Sequence, residues 1–308
     1  MFRKNVDSGV KVPANIWDKV GGRLKYLATP ITNVPIYLIN LANLPMLIGG
    51  EVLMYYRNVP IYLVNPSTMD KIKPPETGYD PECVKRSMAK VSDVINRDWE
   101  EILSKCKRIT YHTVGVYTED SPTIREYTSE KETRAIFICP ERIYNQTHSK
   151  PDIVFQFVVI HELAHAYQGM CKYYTKDWEK VIEESLANAV AYVNFEKTEK
   201  NAILEHISQQ PCEYKGYTFW TSLSRDSEPR ILLLWLNFWR WHLPFYSPIS
   251  IYYRVRYEYF RDYQEGINGE RNGIWTNIYV FLHKCIEDKN PEHFYKLLAM
   301  EILRAGTA

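Results

Sequence analysis

The sequence predicts an α+β protein, and three observations predict it. Short strand-like pieces crowd the first 143 residues, helical spacing takes over from residue 151, and the chain beyond about 210 is helical and aromatic. Between these zones, residues 80–192 read as a helix, two strands and two further helices, so a small sheet should stand against a helix pair.

Residues 1–79 carry an internal echo, NVPIYLIN at 33–40 and NVPIYLVN at 58–65, with seven of eight letters matching at a separation of 25. Proline confines each unit to a sheet edge or a strand start, and the Ile, Tyr, Leu and Val that follow favour strands. This β-rich module either caps the rest of the chain or covers a cleft as an inhibitory or docking element. IKPPETGYDP, 72–81, reads as a Pro/Gly linker and sets the expected boundary between a module at 1–79 and a larger domain at 80–308. After Asp80 and Pro81, a long helix is expected to about Lys107, with Val84, Met88, Val91, Ile95, Trp99, Ile102 and Leu103 as its apolar stripe. Strands are expected within 108–118 and 133–143, on either side of a polar loop. Pro151 and Asp152 then suit a helix start, Val154, Phe157, Val158, His161 and His165 recur at helical spacing, and Gly169 suits the stop. A second helix spans 178–192. Further helices are expected at 193–208, 229–242, 250–265, 272–287 and 291–305, the last four forming a helical subdomain that begins near 210.

With 45% apolar and 24% charged residues in 308, the chain can bury a full core. Thirty-eight basic residues balance thirty-seven acidic ones, so no global field argues for nucleic acid or an anionic membrane. In RVRYEYFRDY, 254–263, Glu258 and Asp262 sit among the arginines and tyrosines, which favours a solvated amphipathic face over a nucleic-acid strip. Residues 34–49 are uncharged but broken by two prolines and too short to span a bilayer. The start of the chain has no apolar run of signal-peptide length. Six cysteines (Cys83, Cys106, Cys139, Cys171, Cys212, Cys285) are scattered singly, as free thiols in a reducing compartment would be. The expected location is the cytoplasm, without membrane or nucleic-acid partners.

One stretch carries chemistry. In VVIHELAHAYQG, 158–169, His161 and His165 are four apart, which on a helix stacks both imidazoles on one face, close enough to share one tetrahedral ion. Glu162 is rotated about a quarter turn from them, beside a metal rather than on it, where it can take a proton from water. This HExxH pattern arises by chance in roughly one chain in a hundred of this length, so context must decide. The apolar flank buries the helix, and a buried imidazole pair without a partner is costly.

A catalytic zinc site needs a third protein ligand and an open position. WEKVIEESLANAVAY, 178–192, offers Glu184, eighteen residues after His165, on a face whose Ala187 and Ala191 let two helix axes approach closely. Asn188, one turn on, could fix a histidine tautomer through its other ring nitrogen. Glu183 is the rival ligand, but its one-turn neighbour Ala187 can orient nothing, which favours Glu184.

His161-Glu162-x-x-His165, eighteen residues, then Glu184-x-x-x-Asn188 resembles the gluzincin branch of the zincin metallopeptidases. There the third ligand is a glutamate on a following helix, and an Asp or Asn one turn later braces the first histidine. The resemblance runs from the helix near position 81 to Asn188, and it departs from the commoner pattern in having Asn as the brace. It implies a zincin-like core, a Zn2+ cofactor on His161, His165 and Glu184, and hydrolysis of peptide bonds with Glu162 as general base. It also implies a cleft-edge strand at Ala135–Cys139, on which an extended peptide lies by backbone pairing, and a downstream Tyr or His that stabilises the oxyanion. Tyr214, Tyr217 and His206 are in the right region for that role, and the spacing does not choose among them. The expected partner is a peptide or protein substrate. The alternative is a zincin-fold regulator or sensor that binds or cuts one specific partner, although an intact Glu162 speaks for an enzyme, since a structural site has no need of a general base.

Overall fold

The computed structural model describes residues 5–6, 12–13, 15–23, 61–89, 103–119, 134–146, 149–168, 177–224 and 291–307. The first NVPIYL copy, residues 90–102 of the long helix expected after Pro81, Cys171, and the segments expected at 229–287 lie outside these residues; of 103–107, where that helix is expected to end, only Leu103 is helical.

Within them the chain is α+β. A four-stranded sheet has the order β1 (Asn5–Val6), β2 (Ile61–Val64), β6 (Arg134–Ile138), β5 (Gly115–Glu119). The first three strands run parallel, and β5 pairs antiparallel with β6, Tyr117 opposite Ile136. A separate ribbon pairs β3 (Glu76–Tyr79) antiparallel with β4 (Arg108–Tyr111), Glu76 directly opposite Tyr111.

The sheet's inner strands read as apolar runs because both faces are covered. Ile61, Leu63, Ile136 and Ile138 join the main core, while Tyr62, Val64, Ala135 and Phe137 form a second cluster on the other face. Met69 closes that second cluster from helix α2 (Pro66–Ile72). Asn65 caps α2 by accepting a hydrogen bond from Thr68 N at 2.8 Å, and Pro66 suits the first turn, where no backbone donor is needed. β2 belongs to the second NVPIYL copy, so the sheet draws strands from both sides of the expected boundary near residue 79.

Three sequence expectations change. Glu76–Tyr79, read as part of a linker, is a strand. The piece at 108–118 is two strands with a turn at 112–114, so β4 and β5 belong to different sheets. The strand at 133–143 ends at Ile138, because Pro140 opens helix α4 (Pro140–Asn145).

The main core is built around two helices, α5 (Pro151–Gln168) and α6 (Asp177–Tyr192). Residues 154–166 of α5 and 181–191 of α6 are buried on every side, so neither helix needs an amphipathic stripe. Helix α3 (Pro81–Ala89), helix α7 (Lys197–Ser208), helices α8 (Cys212–Lys215) and α9 (Tyr217–Ser224), and helix α10 (Pro291–Thr307) complete the described part, with α1 (Ile16–Arg23) packed against α5. None of the described helices is long and apolar enough to cross a membrane. Cys83, Cys106, Cys139 and Cys212 are free thiols.

Candidate metal centre

Helix α5 delivers His161 and His165 to one face, and α6, packed closely against it, delivers Glu184. Nε2 of His161 and Nε2 of His165 stand 3.0 Å apart; Oε2 of Glu184 lies 3.2 Å from the first and 3.3 Å from the second. Two ligands at about 2.0–2.1 Å from a tetrahedral ion stand roughly 3.3 Å apart, so the three donor atoms have close to the spacing of one face of such a coordination shell. Two imidazole nitrogens and one carboxylate oxygen are also a donor set that suits zinc. Among the described residues this is the only cluster of histidine, cysteine and acidic side chains able to hold a metal ion. All three side chains are buried.

The electrostatics fit the same reading. Burial alone would raise the Glu184 carboxyl, but His165 and His161 outweigh it and hold it well below the usual range. Burial works against charge on His165, and Glu184 overcomes it, raising the imidazole to about 9. A positive charge between the carboxylate and the imidazoles suits this pocket, and a divalent ion would supply one.

Glu162 faces the same cleft from one residue beyond His161. Burial pushes its carboxyl up, with His161 and His165 pulling it partly back, and Oε2 accepts a hydrogen bond from Tyr117 N of β5 at 2.8 Å. The strand can come this close because residue 115 is glycine. A Cβ there would stand 2.7 Å from Val158 Cγ1 and 2.8 Å from Glu162 Oε1, so any larger residue would displace the carboxylate or the strand.

The cleft in front of the cluster holds about 380 Å³ and is walled by β5, by β4 with its following turn, and by the ends of α7 and α8. Among the described residues β5 is at the edge of the sheet, and β6 lies inside it, between β2 and β5. The cleft-edge strand is thus Gly115–Glu119, not Ala135–Cys139: β6 has a partner on each side and no free edge to offer.

Of the residues expected to act from downstream, Tyr214 reaches the site. Its ring tilts over His161 with centroids 6.0 Å apart, and its hydroxyl lies 3.0 Å from that of Tyr111. Tyr217 does not line the cleft. It packs against Tyr192 with ring centroids 4.9 Å apart, because Gly216 separates α8 from α9 and sends the two tyrosines to different surfaces. His206 lines the cleft, 3.4 Å from Gln210 Nε2 and with its ring edge-on to Phe157.

Asn188 does not brace a histidine. Its Nδ2 donates to Gln210 Oε1 at 3.2 Å and to the backbone oxygen of Tyr214 at 3.1 Å, so it anchors α8 rather than an imidazole. Nδ1 of both His161 and His165 is buried without a hydrogen-bond partner among the described residues.

Sequence reasoning missed Tyr111 and Glu76. Neither belongs to a motif, and their pairing becomes visible only once β3 is known to be a strand. The ribbon that carries them is fastened by Tyr79, whose hydroxyl donates to Asp177 at 2.8 Å, by the Arg108–Asp177 ion pair at 2.5 Å, and by Glu213, which accepts from Tyr79 N at 3.0 Å.

Glu213 gives this fastening a pH dependence. Burial pushes its carboxyl from 4.5 up to about 7, against the pull of Lys180. A carboxyl raised on folding contributes stability that is full below its ordinary range and is lost as pH rises towards 7. Urea unfolding should therefore show a pH-dependent loss between about pH 4.5 and 7, on the order of 3 kcal/mol at most. Glu213→Gln, which keeps an acceptor for Tyr79 N, should flatten that slope.

Comparison of the chain with family models, with curated proteins and with solved structures found no match.

Proposed function

We propose that the chain is a zinc-dependent metallopeptidase of the gluzincin type, acting in the cytoplasm on a peptide or protein substrate. The observation that carries this reading is the convergence of three buried donor atoms within 3.3 Å of one another, with a second carboxylate, Glu162, alongside and an open cleft in front.

His161, His165 and Glu184 would hold the ion. When bound, zinc supplies a Lewis acid that polarises a carbonyl and makes water a competent nucleophile near neutral pH. Glu162 accepts the proton of the attacking water and returns it to the leaving amine, a task for which a carboxyl raised by burial is better matched than an ordinary one. The outer edge of β5 would receive the substrate backbone in extended form and carry the scissile bond past Glu162. Tyr214, which lines the same cleft with its ring over His161, would donate a hydrogen bond to the developing oxyanion. A catalytic glutamate adjoining the ligand set favours an enzyme over a regulator that only binds.

Quenched fluorescent peptide mixtures, incubated with purified full-length protein, test the proposal. Cleavage should stop on treatment with a strong chelator and return on addition of stoichiometric zinc. Cleavage that survives complete metal removal, or a zinc-loaded protein that cuts no peptide, would refute it.

A further inference from the structure

Tyr214 is held by more than packing. Its hydroxyl meets that of Tyr111 at 3.0 Å, and the Tyr111 hydroxyl also contacts Glu76 Oε2, directly across the β3–β4 ribbon. Glu76 receives Lys180 Nζ at 2.8 Å and Lys73 Nζ at 2.5 Å. Lys180 sits one turn before Glu184 on α6, so the helix that carries the third ligand also fixes the carboxylate at the far end of this chain of contacts.

Counting protons gives the chain a direction. A carboxylate flanked by two ammonium groups has only acceptors to offer, so Tyr111 must donate its single proton to Glu76. Its oxygen can then only accept, and the proton between the two tyrosines comes from Tyr214. The order is Tyr214 to Tyr111 to Glu76.

We infer that Tyr111 and Glu76 are positioning residues that hold the Tyr214 hydroxyl on the cleft wall with its proton committed to the Tyr111 oxygen at rest. The inference rests on the hydrolytic reading above and gives it selectivity. A neutral substrate carbonyl competes for the Tyr214 proton only on equal terms with the Tyr111 oxygen. An oxyanion makes a charge-assisted hydrogen bond about twice as strong, so rotation about one C–O bond hands the proton over when negative charge develops. Tyr214 thus favours the transition state over bound substrate, which is what raises turnover rather than affinity. Both positioning residues lie on the β3–β4 ribbon, outside the HExxH and glutamate helices.

The test uses full-length, zinc-loaded protein in two readouts. In protein labelled with 13C at tyrosine Cζ, the Tyr214 resonance, assigned by its loss in Tyr214→Phe, should move in Tyr111→Phe and, by a smaller amount, in Glu76→Gln. With a peptide selected from the fluorescent mixture, Tyr111→Phe should lower kcat about tenfold while KM stays within about twofold. Tyr214→Phe should lower it about a hundredfold, in the range of losing one oxyanion donor. The double variant should be no slower than Tyr214→Phe alone, because Tyr111 acts through Tyr214. A Tyr214 resonance unmoved in Tyr111→Phe, or rate losses that multiply in the double variant, would overturn the inference. If Tyr111→Phe does not fold, Glu76→Gln replaces it in both arms. A zinc-loaded wild type that cuts nothing would instead refute the hydrolytic reading, and the resonance would still decide whether Tyr214 is held.

Discussion

His161→Ala should abolish stoichiometric zinc binding, with the affinity falling by more than the 10- to 100-fold that losing an outer-shell partner costs. The three donors lie within 3.3 Å of one another, so removing one leaves a two-point site on a buried wall, with Glu184 facing a single imidazole. Binding and stability are linked. An ion that binds only the folded chain stabilises it by about 2.7 kcal/mol at a hundred times its dissociation constant. The wild type should therefore unfold at a higher temperature when zinc is added, and His161→Ala should show no such rise. Glu184→Gln should behave like His161→Ala, since a carboxamide is a poor zinc ligand, while Glu183→Gln should keep the metal. Metal analysis of dialysed protein and melting curves with and without zinc read all three variants. Full zinc occupancy in Glu184→Gln together with loss in Glu183→Gln would reassign the third ligand.

The candidate metal centre was the legible part of the chain because each step in reading it was local. Two histidines four apart share a helix face whatever the rest of the fold does, and Glu184 needs only a second helix packed against the first. The choice of Glu184 over Glu183 was less local. Asn188 does stand one turn on, but the backbone oxygen of Tyr214 and the side chain of Gln210 claim its amide protons, so the brace that motivated the choice is absent. Spacing along a helix specifies a face; it does not specify which acceptor across the cleft wins the side chain.

What the sequence could not yield was non-local. β5 and β6 are both apolar enough to be strands, and only the pairing of β6 with β2, more than seventy residues earlier, makes β6 internal and leaves β5 as the edge among the described residues. ETGY at 76–79 looks like a turn, since two prolines precede it and it contains a glycine. It is held as a strand by β4, and Gly78 is where a side chain would strike Pro211 Cβ at 2.4 Å. Tyr214 and Tyr217 are three residues apart and look equivalent in sequence, yet a break at Gly216 sends one to the metal centre and the other to Tyr192. Tyr111 and Glu76 follow the same rule, brought together by a register no motif encodes.

Glu162→Gln is the variant that separates chemistry from architecture. The substitution keeps shape and keeps an acceptor for Tyr117 N, so β5 should stay where it is. It leaves His161, His165 and Glu184 untouched, so zinc content should remain near one per chain. What disappears is the group that takes and returns the proton, and the rate of peptide cleavage should fall by about 10²–10⁴. Stability should move the other way. Burial raises the Glu162 carboxyl, so in metal-free protein the ionised form is disfavoured and its cost grows as pH rises above the ordinary carboxylate range. A neutral amide avoids that cost, and metal-free Glu162→Gln should be at least as stable as the wild type at pH 8. Metal analysis, peptide cleavage and urea unfolding on the same preparation decide the matter. A variant that keeps its zinc and its full activity would remove Glu162 from the reaction, whereas loss of zinc along with activity would make it a structural support of the ligand set.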